Sequence, residues 1–141
     1  ADIALCAAAV ADWRVTNQAG NKLKKDGSGT LPSLELAENP DVLATISRAG
    51  KARPQIVVGF AAETENVIDN AKAKLARKNC DLIVANDVSE ETGVMGGMRN
   101  TVHLVSAGGV ESWPEMSKDA VADRLMQHLV GLITAPAKAA E

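Results

Sequence analysis

The sequence predicts an α/β fold: a Rossmann-like parallel sheet with flanking helices, followed by a C-terminal β-hairpin and a helix. Three apolar, β-rich runs alternate with stretches of helical periodicity, which is the order found in βαβ proteins. The 141-residue chain is 46% hydrophobic but only 2% aromatic and has no Tyr. Its core must therefore be built from Ala, Val, Leu and Ile, a composition that suits parallel strands covered on both faces.

The first predicted elements are a strand and two loops. Residues 3–10 are continuously apolar and predict a buried strand, with a loop at 11–14. Residues 16–33 are rich in Gly, Lys, Asn and Thr and have neither strand nor helix period, which predicts a mobile loop. Residues 34–36 are a candidate short strand.

A helix is predicted at residues 39–49 by its start signals. Asn39 is a good N-cap, Pro40 fits the first helical position, and Asp41 suits the positive end of the helix dipole. Apolar runs and helical spacing then predict a strand at 55–61, an amphipathic helix at 65–78 and a third strand at 81–85.

The C-terminal part is predicted to be a hairpin and a helix. After an irregular stretch at 88–100, residues 101–105 and 110–113 flank a Gly-Gly turn, which predicts an edge β-hairpin. Ser117 caps the last helix, and the tail at 135–141 is expected to be disordered. One domain is therefore predicted over residues 1–134. The inward stripe of its last helix is predicted to be Val121, Leu125, Leu129 and Leu132.

Charge and cysteine usage exclude several classes of function. Fifteen Lys and Arg against 18 Asp and Glu give a net charge of −3, which disfavours a nucleic-acid partner. A local cluster of lysines could still bind a small phosphorylated ligand. Cys6 and Cys80 lack the spacing of a zinc or redox pair, which favours a reducing cytoplasm. No apolar run is long enough to cross a bilayer, so we expect no membrane partner.

The candidate ligand-binding residues follow the predicted strands, because ligands of open parallel sheets bind beyond the carboxyl ends of the strands. Small residues and Asp12 follow the first strand, and Phe60 ends the second. Asp12 could accept hydrogen bonds from a base or ribose, or cap a strand end. Phe60 could stack on a base or belong to the core. The residues alone leave both pairs of alternatives open.

Two groups of lysines could neutralise phosphate. Lys22, Lys24 and Lys25 crowd one Gly-flanked segment, where a triphosphate would relieve their repulsion. Lys74 and Lys78 are four residues apart and share one side of the predicted helix. A solvated charge run and a helix-dipole effect are the simpler alternatives. The sequence has no Walker-type lysine loop, dinucleotide fingerprint, nucleophile elbow or His/Cys metal cluster.

Six segments in one order carry more information than their individual chemistry. They are Ala8-Ala9-Val10-Ala11-Asp12-Trp13, Lys22-Leu23-Lys24-Lys25, Asn39-Pro40-Asp41, Val58-Gly59-Phe60-Ala61-Ala62-Glu63-Thr64, Lys74 with Lys78-Asn79, and Ala85-Asn86-Asp87. In this order and spacing they closely resemble the phosphopantothenoylcysteine synthetase family, a domain often fused to a flavin-dependent decarboxylase. The resemblance covers residues 2 to about 133.

The resemblance implies a CTP-dependent ligase of coenzyme A biosynthesis. In such a reaction the carboxylate of 4'-phosphopantothenate attacks the α-phosphate of CTP, which gives an acyl-cytidylate and pyrophosphate. The amine of L-cysteine then displaces CMP. This chemistry needs positioning and neutralised phosphate charge more than a protein nucleophile. The resemblance further implies Mg2+ with CTP, a homodimer, a cytoplasmic location, and FMN only in a fused decarboxylase domain.

The family's functional positions carry over residue by residue. Lys22 matches the key phosphate-contacting lysine and is the predicted catalytic residue, whereas the resemblance names no metal ligand. The implied CTP-binding positions are Cys6, Ala7, Ala8, Asp12, Lys22, Pro40, Asp41, Val42, Leu43, Phe60, Lys74 and Lys78.

Two departures from the family pattern qualify this prediction. The family's glycine-rich N-terminal strand-turn-helix, which supplies an Asn for the cysteine step, has no counterpart in these residues. We therefore expect that the chain alone cannot complete the ligation. Met95, Gly97 and Met98 stand where the family commonly has an aromatic residue and a Ser-Asp pair, while Asn100 is retained.

Two other classes of function remain as alternatives. One is a non-catalytic nucleotide-binding or dimerisation module that uses a Rossmann-like fold as a scaffold. The other is a dinucleotide-dependent oxidoreductase domain, which the missing fingerprint glycines disfavour.

Overall fold

The computed structural model of the chain describes residues 1–7, 10–16, 33–89 and 97–134. The chain divides into two compact units. The core unit contains residues 1–7 together with the chain from Val42 onward, and the insert unit is the segment Ala8–Asp41. Most of the predicted loop at 16–33 and the predicted tail at 135–141 lie outside the described residues.

Five strands form the sheet of the core unit. Three of them are parallel: β1 (Ile3–Cys6), β4 (Ile56–Glu63) and β5 (Leu82–Asp87). Two further strands, β7 (Val102–Ser106) and β8 (Gly109–Ser112), add an antiparallel hairpin beside β5, so that the order is β1-β4-β5-β7-β8. The predicted fold class, with its parallel strands and C-terminal hairpin, is confirmed.

Helices cover both faces of this sheet. On one face lie α1 (Val42–Ser47) and α2 (Val67–Lys78), and a short 3-10 turn at Gly50–Ala52 follows α1. The other face is covered by α3 (Lys118–Thr134). Neighbouring residues of β4 are buried on opposite faces, as expected for a central strand of a sheet covered on both sides.

The insert unit contains a two-stranded antiparallel sheet of β2 (Trp13–Val15) and β3 (Leu36–Glu38). The prediction of a loop at 11–14 is wrong at Trp13, which pairs with Glu38. The strand predicted at 34–36 lies slightly later in the chain. The local sequence does not reveal these two strands, because each is stabilised by its pairing partner and that partner is distant in the chain.

The helix predicted at 39–49 is shorter in the structure. It begins at Val42, and the side chain of Asn39 bonds elsewhere: its Oδ1 accepts from the Arg14 Nη1 at 3.4 Å and its Nδ2 donates to the Ala11 carbonyl at 2.7 Å. The regular helix ends at Ser47, after which the Ala49 N–H donates to the Ile46 carbonyl in a tighter turn. The predicted N-cap therefore stabilises the insert unit instead.

Other predicted boundaries also change. The first strand ends at Cys6 rather than at residue 10. The stretch predicted to be irregular contains the short strand β6 (Arg99–Asn100), which pairs with β9 (Met116–Ser117). Leu132, predicted to face inward, is 43% exposed, and Ile133 packs against the core in its place.

The predicted cap of the last helix is confirmed. The Ser117 Oγ accepts the N–H of Ala120 at 3.2 Å, which satisfies one of the unpaired donors in the first turn of α3. Leu125 and Leu129, the centre of the predicted stripe, are buried against the sheet.

Candidate functional site

The carboxyl ends of the three parallel strands meet at one edge of the core sheet. The last pair between β1 and β4 is Cys6 with Gly59, whereas β4 continues beside β5 as far as the pair Glu63 with Asp87. From Phe60 onward, the side of β4 that faced β1 therefore has no strand beside it among the described residues. This edge is where the sheet can present backbone groups to a ligand.

Lys74 fills the first of these open backbone positions. The Ile56 N–H donates to the Asp2 carbonyl, so alternate residues of β4, including Phe60, direct their backbone groups toward β1. The Lys74 Nζ donates to the Phe60 carbonyl at 2.7 Å. Because Lys74 is partly buried on α2, this bond holds a positive charge at the carboxyl end of β4.

Lys78 lies farther from that edge. It is the last residue of α2, which runs from the carboxyl end of β4 back toward the start of β5. Four residues of helix correspond to a rise of about 6 Å, so the backbone of Lys78 is about one turn farther from the edge than that of Lys74. Asn79 then ends the helix in the left-handed conformation, with its N–H on the Leu75 carbonyl at 3.0 Å.

Four of the other predicted positions lie at the end of β1 or the start of α1, the elements beside Gly59. Cys6 is paired with Gly59 in the sheet, and Ala7 follows it as an exposed residue. Leu43, the second residue of α1, packs directly over Gly59: a Cβ added there would lie 2.6 Å from the Leu43 Cδ2. Val42, the first residue of α1, is exposed. The start of α1 therefore lies over the middle of β4, level with the end of β1.

Phe60 has its ring on the opposite face of the sheet from Lys74. The ring is partly buried and packs against the α3-side core, beside Val84 of the neighbouring strand. Of the two roles considered for Phe60, the core contact is present, and the residue as a whole is partly exposed.

Two further positions lie beside these residues. Gly59 and Asn86 both belong to the motifs quoted above, but neither was counted among the binding residues. Asn86 is paired with Ala62, two residues beyond the pair of Phe60 with Val84. Because side chains alternate along a strand, Asn86 shares a sheet face with Phe60. Asn86 stands near the carboxyl end of β5, whereas Gly59 lies in the middle of β4, so only Asn86 had a strand-end signal.

The predicted binding residues Asp12, Pro40 and Asp41 belong to the insert unit. Asp12 is exposed, and its carbonyl accepts the Asn39 N–H at 2.8 Å. Pro40 and Asp41 are exposed at the end of this unit. The remaining predicted positions, Ala8 and the catalytic candidate Lys22, lie outside the described residues.

Carboxylates also occur at the edge, although they do not form a metal cluster. The Glu63 Oε2 accepts from the Asn70 Nδ2 at 3.1 Å. Hydrogen bonds from Ser89 lower the pKa of Asp87 below its ordinary value. No group of three or more His, Cys, Asp or Glu side chains suited to a metal ion occurs in the part of the chain that the structure describes. In that same part, no helix has the length and apolar character required to cross a membrane.

The sequence and the fold of the chain resemble those of known proteins. Residues 1–132 match the family model described as the DNA/pantothenate metabolism flavoprotein C-terminal domain. The chain belongs to this family. The result confirms the family predicted from the six sequence segments.

Curated relatives of the family agree with this assignment. The coenzyme A biosynthesis bifunctional protein CoaBC of Vibrio cholerae is 41% identical over 128 residues, which cover 91% of this chain and 32% of that protein. The protein of the same name from Escherichia coli K12 is 40% identical over 124 residues, which cover 87% of this chain and 30% of that protein. The chain thus spans about a third of the length of these relatives.

Solved structures agree with the fold. The crystal structure of the C-terminal domain of a CoaBC protein has a TM-score of 0.64 and 29% identity, with 92% of this chain and 53% of that chain covered. The DNA/pantothenate metabolism flavoprotein of Streptococcus pneumoniae has a TM-score of 0.69 at 16% identity, with 93% of this chain and 63% of that chain covered. At that identity the second likeness supports the fold alone.

Proposed function

We propose that this chain is the CTP-binding part of a phosphopantothenate–cysteine ligase. The observation that carries the proposal is the position of Lys74, whose ammonium is bound at 2.7 Å to the Phe60 carbonyl in the carboxyl half of β4, just beyond the last pair with β1. In a parallel sheet this edge is the usual ligand site, and the relatives of the chain are named as coenzyme A biosynthesis proteins. Anionic phosphates would be attracted to the charge held there.

The proposed reaction has two steps. The carboxylate of 4'-phosphopantothenate attacks the α-phosphate of CTP and pyrophosphate leaves. The amine of L-cysteine then attacks the acyl carbon, and CMP leaves with the electrons of the broken acyl–phosphate bond. In both steps negative charge moves onto a phosphate group, so fixed positive charges accelerate the reaction.

The residues of this chain are assigned separate roles in that reaction. Lys22 and Lys74 neutralise phosphate charge, and Lys78 adds a more distant positive charge. Phe60 stacks on the cytosine base, and Asp12 accepts hydrogen bonds from the nucleotide. The remaining proposed contacts are backbone or packing contacts from Cys6, Ala7, Ala8, Pro40, Asp41, Val42 and Leu43.

The proposal extends to cofactors and partners. The described residues offer no cluster of three or more candidate metal ligands. We therefore propose that Mg2+ arrives bound mainly to the phosphate oxygens of CTP, as is common in nucleotide sites. FMN is assigned to a fused decarboxylase part, and a cytoplasmic homodimer is the proposed assembly. The complete ligation is assigned to the whole protein rather than to these 141 residues.

The first test is calorimetric titration of the chain with CTP, ATP and NAD in the presence of Mg2+. We expect selective binding of CTP, and Lys74→Met should weaken it at least about tenfold because a phosphate-facing charge is lost. Lys72→Met is the matched control, because Lys72 is an exposed lysine on the same helix. Equal indifference to all three nucleotides would support a non-catalytic module instead.

The second test uses the full-length protein that contains this chain. Pyrophosphate release from CTP should require 4'-phosphopantothenate, and Lys22→Gln should abolish most of it. Release that is unchanged in Lys22→Gln would contradict the assignment of this residue to catalysis.

A further inference from the structure

Gly59 has no side chain, and the side chains of Leu43 from α1 and Ile83 from β5 lie close to the position that a Cβ would take. A Cβ at this position would lie 2.6 Å from the Leu43 Cδ2, 2.8 Å from the Ile83 Cδ1 and 3.5 Å from the Leu43 Cδ1. The two shorter distances are below the contact distance of carbon atoms, which is about 3.5–4.0 Å. Any larger residue at Gly59 therefore requires Leu43 of α1, Ile83 of β5, or both to move.

The side-chain ends of Leu43 and Ile83 have little free volume around them. Leu43 is 9% exposed and Ile83 is fully buried, and both belong to one packed cluster on the α1/α2 face. Interiors of this kind are packed almost as densely as organic crystals, so an added methyl group cannot be absorbed without displacement.

The two elements do not resist displacement equally. Ile83 lies in a central strand and is paired with Gly59 on one side and with Val105 on the other. Leu43 belongs to α1, a helix of six residues on the outside of the sheet. Both close atoms are side-chain ends, but the Ile83 side chain is fully buried in the sheet face, whereas Leu43 lies on a short surface helix that can shift with it. The helix is therefore the element that yields.

We propose that Gly59 is a positioning residue for the nucleotide site, because it allows the start of α1 to lie over the middle of β4, level with the end of β1. This inference rests on the proposed function. Leu43 is itself a proposed CTP contact, Cys6 is paired with Gly59, and Phe60 follows it in the chain. Gly59 touches no ligand in this assignment and acts through the position of Leu43.

The test is a pair of double variants of the 141-residue chain, with the CTP dissociation constant and the melting temperature measured for each. Gly59→Ala should weaken CTP binding about tenfold. Leu43→Val removes the Leu43 Cδ2, the atom closest to the added Cβ, so Gly59→Ala/Leu43→Val should bind CTP within about threefold of Leu43→Val alone. Ile83→Val removes the other clashing atom, so Gly59→Ala/Ile83→Val should regain melting temperature but not CTP affinity.

The outcomes separate the two ideas. If Gly59→Ala binds CTP as tightly as the parent chain, or if Ile83→Val restores affinity as well as Leu43→Val does, the positioning role is wrong while the proposed function stands. If the parent chain binds no CTP, the proposed function fails and the inference fails with it. Should Gly59→Ala alone not fold, the two double variants still carry the comparison.

Discussion

The two faces of the core sheet are packed with side chains of different size. The α3 face is filled by large residues, among them Trp113, Leu125 and Leu129. The α1/α2 face has small residues toward the carboxyl ends of the strands, with Gly59 in β4 and the buried Ala71 in α2. The first face buries larger side chains, and the second lets helices pack close to the sheet on the side from which Lys74 reaches its edge. Stability and ligand-site geometry are therefore expected to respond to different substitutions.

The largest expected effect is on the α3 face. Trp113 is 2% exposed, and the Arg124 Cζ lies over its ring at 4.6 Å from the centroid, in a cation–π contact. We expect Trp113→Ala to lower the free energy of unfolding by about 3–5 kcal/mol, measured by urea denaturation, because a large cavity is left. Trp13, which is 56% exposed, is the matched control. An equal loss in Trp13→Ala would contradict the importance of this face.

A smaller effect is expected from overpacking the α1/α2 face. Ala71 is fully buried, and Ala71→Leu should cost about 1–3 kcal/mol of unfolding free energy because α2 must move away from the sheet. Ala73 is exposed on the same helix, so Ala73→Leu should change stability by less than about 0.5 kcal/mol. If the two variants have the same urea midpoint, close helix packing is not a property of this face.

The polar link at the amino ends of the strands should contribute less again. The Asp81 Oδ2 accepts from the Arg53 Nη2 at 2.8 Å and from the Val57 N–H at 2.7 Å, and the Arg53 Nε donates to the Ser47 carbonyl of α1. Because Asp81 is only partly buried, Asp81→Asn should cost about 1 kcal/mol in a urea titration.

The control for that link is an exposed ion pair. The Arg99 Nε and the Glu115 Oε1 lie 2.6 Å apart at the surface. Because the pair is exposed, Glu115→Gln should change the free energy of unfolding by well under about 1 kcal/mol. A loss as large as that of Asp81→Asn would mean that the backbone contacts of Asp81 add nothing.

The smallest effect is a pH dependence on the α3 side. Hydrogen bonds from the Trp113 indole, and then from Arg124, hold the pKa of Glu111 below its ordinary value of 4.5. The unfolded chain therefore binds this proton more readily, so the contribution of Glu111 is present above its ordinary pKa and is lost as the pH falls through the folded-state value.

Urea midpoints measured from neutral pH down to about pH 3 check this dependence. The parent chain should lose stability more steeply on acidification than Glu111→Gln. Parallel curves for the two proteins would exclude Glu111 as a contributor.

Sequence patterns predicted the elements of the core unit better than those of the insert unit. The apolar runs of β4 and β5 and the helical period of α2 are local signals, and each element lies near its predicted place. The pairing of Trp13 with Glu38 involves residues far apart in the chain, so no local pattern indicated β2. The predicted use of Asn39 as an N-cap failed for the same reason, because its amide binds Ala11.

The candidate site was predicted in the same uneven way. The motifs predicted that Phe60 and Lys74 belong to one site, and the bond between the Lys74 ammonium and the Phe60 carbonyl depends on where β1 ends. Gly59 was visible as a motif residue, yet its lack of a side chain has meaning only once Leu43 is placed over it.

By itself, the sequence determined the α/β class, the order of the core elements and the family, because periodicity and short motifs are properties of neighbouring residues. Only the tertiary structure decided which backbone carbonyl Lys74 satisfies, which residue of α1 packs over Gly59, and where the insert strands pair. Those contacts join residues that are distant in the chain, and their distances arise when the sheet and its helices pack together.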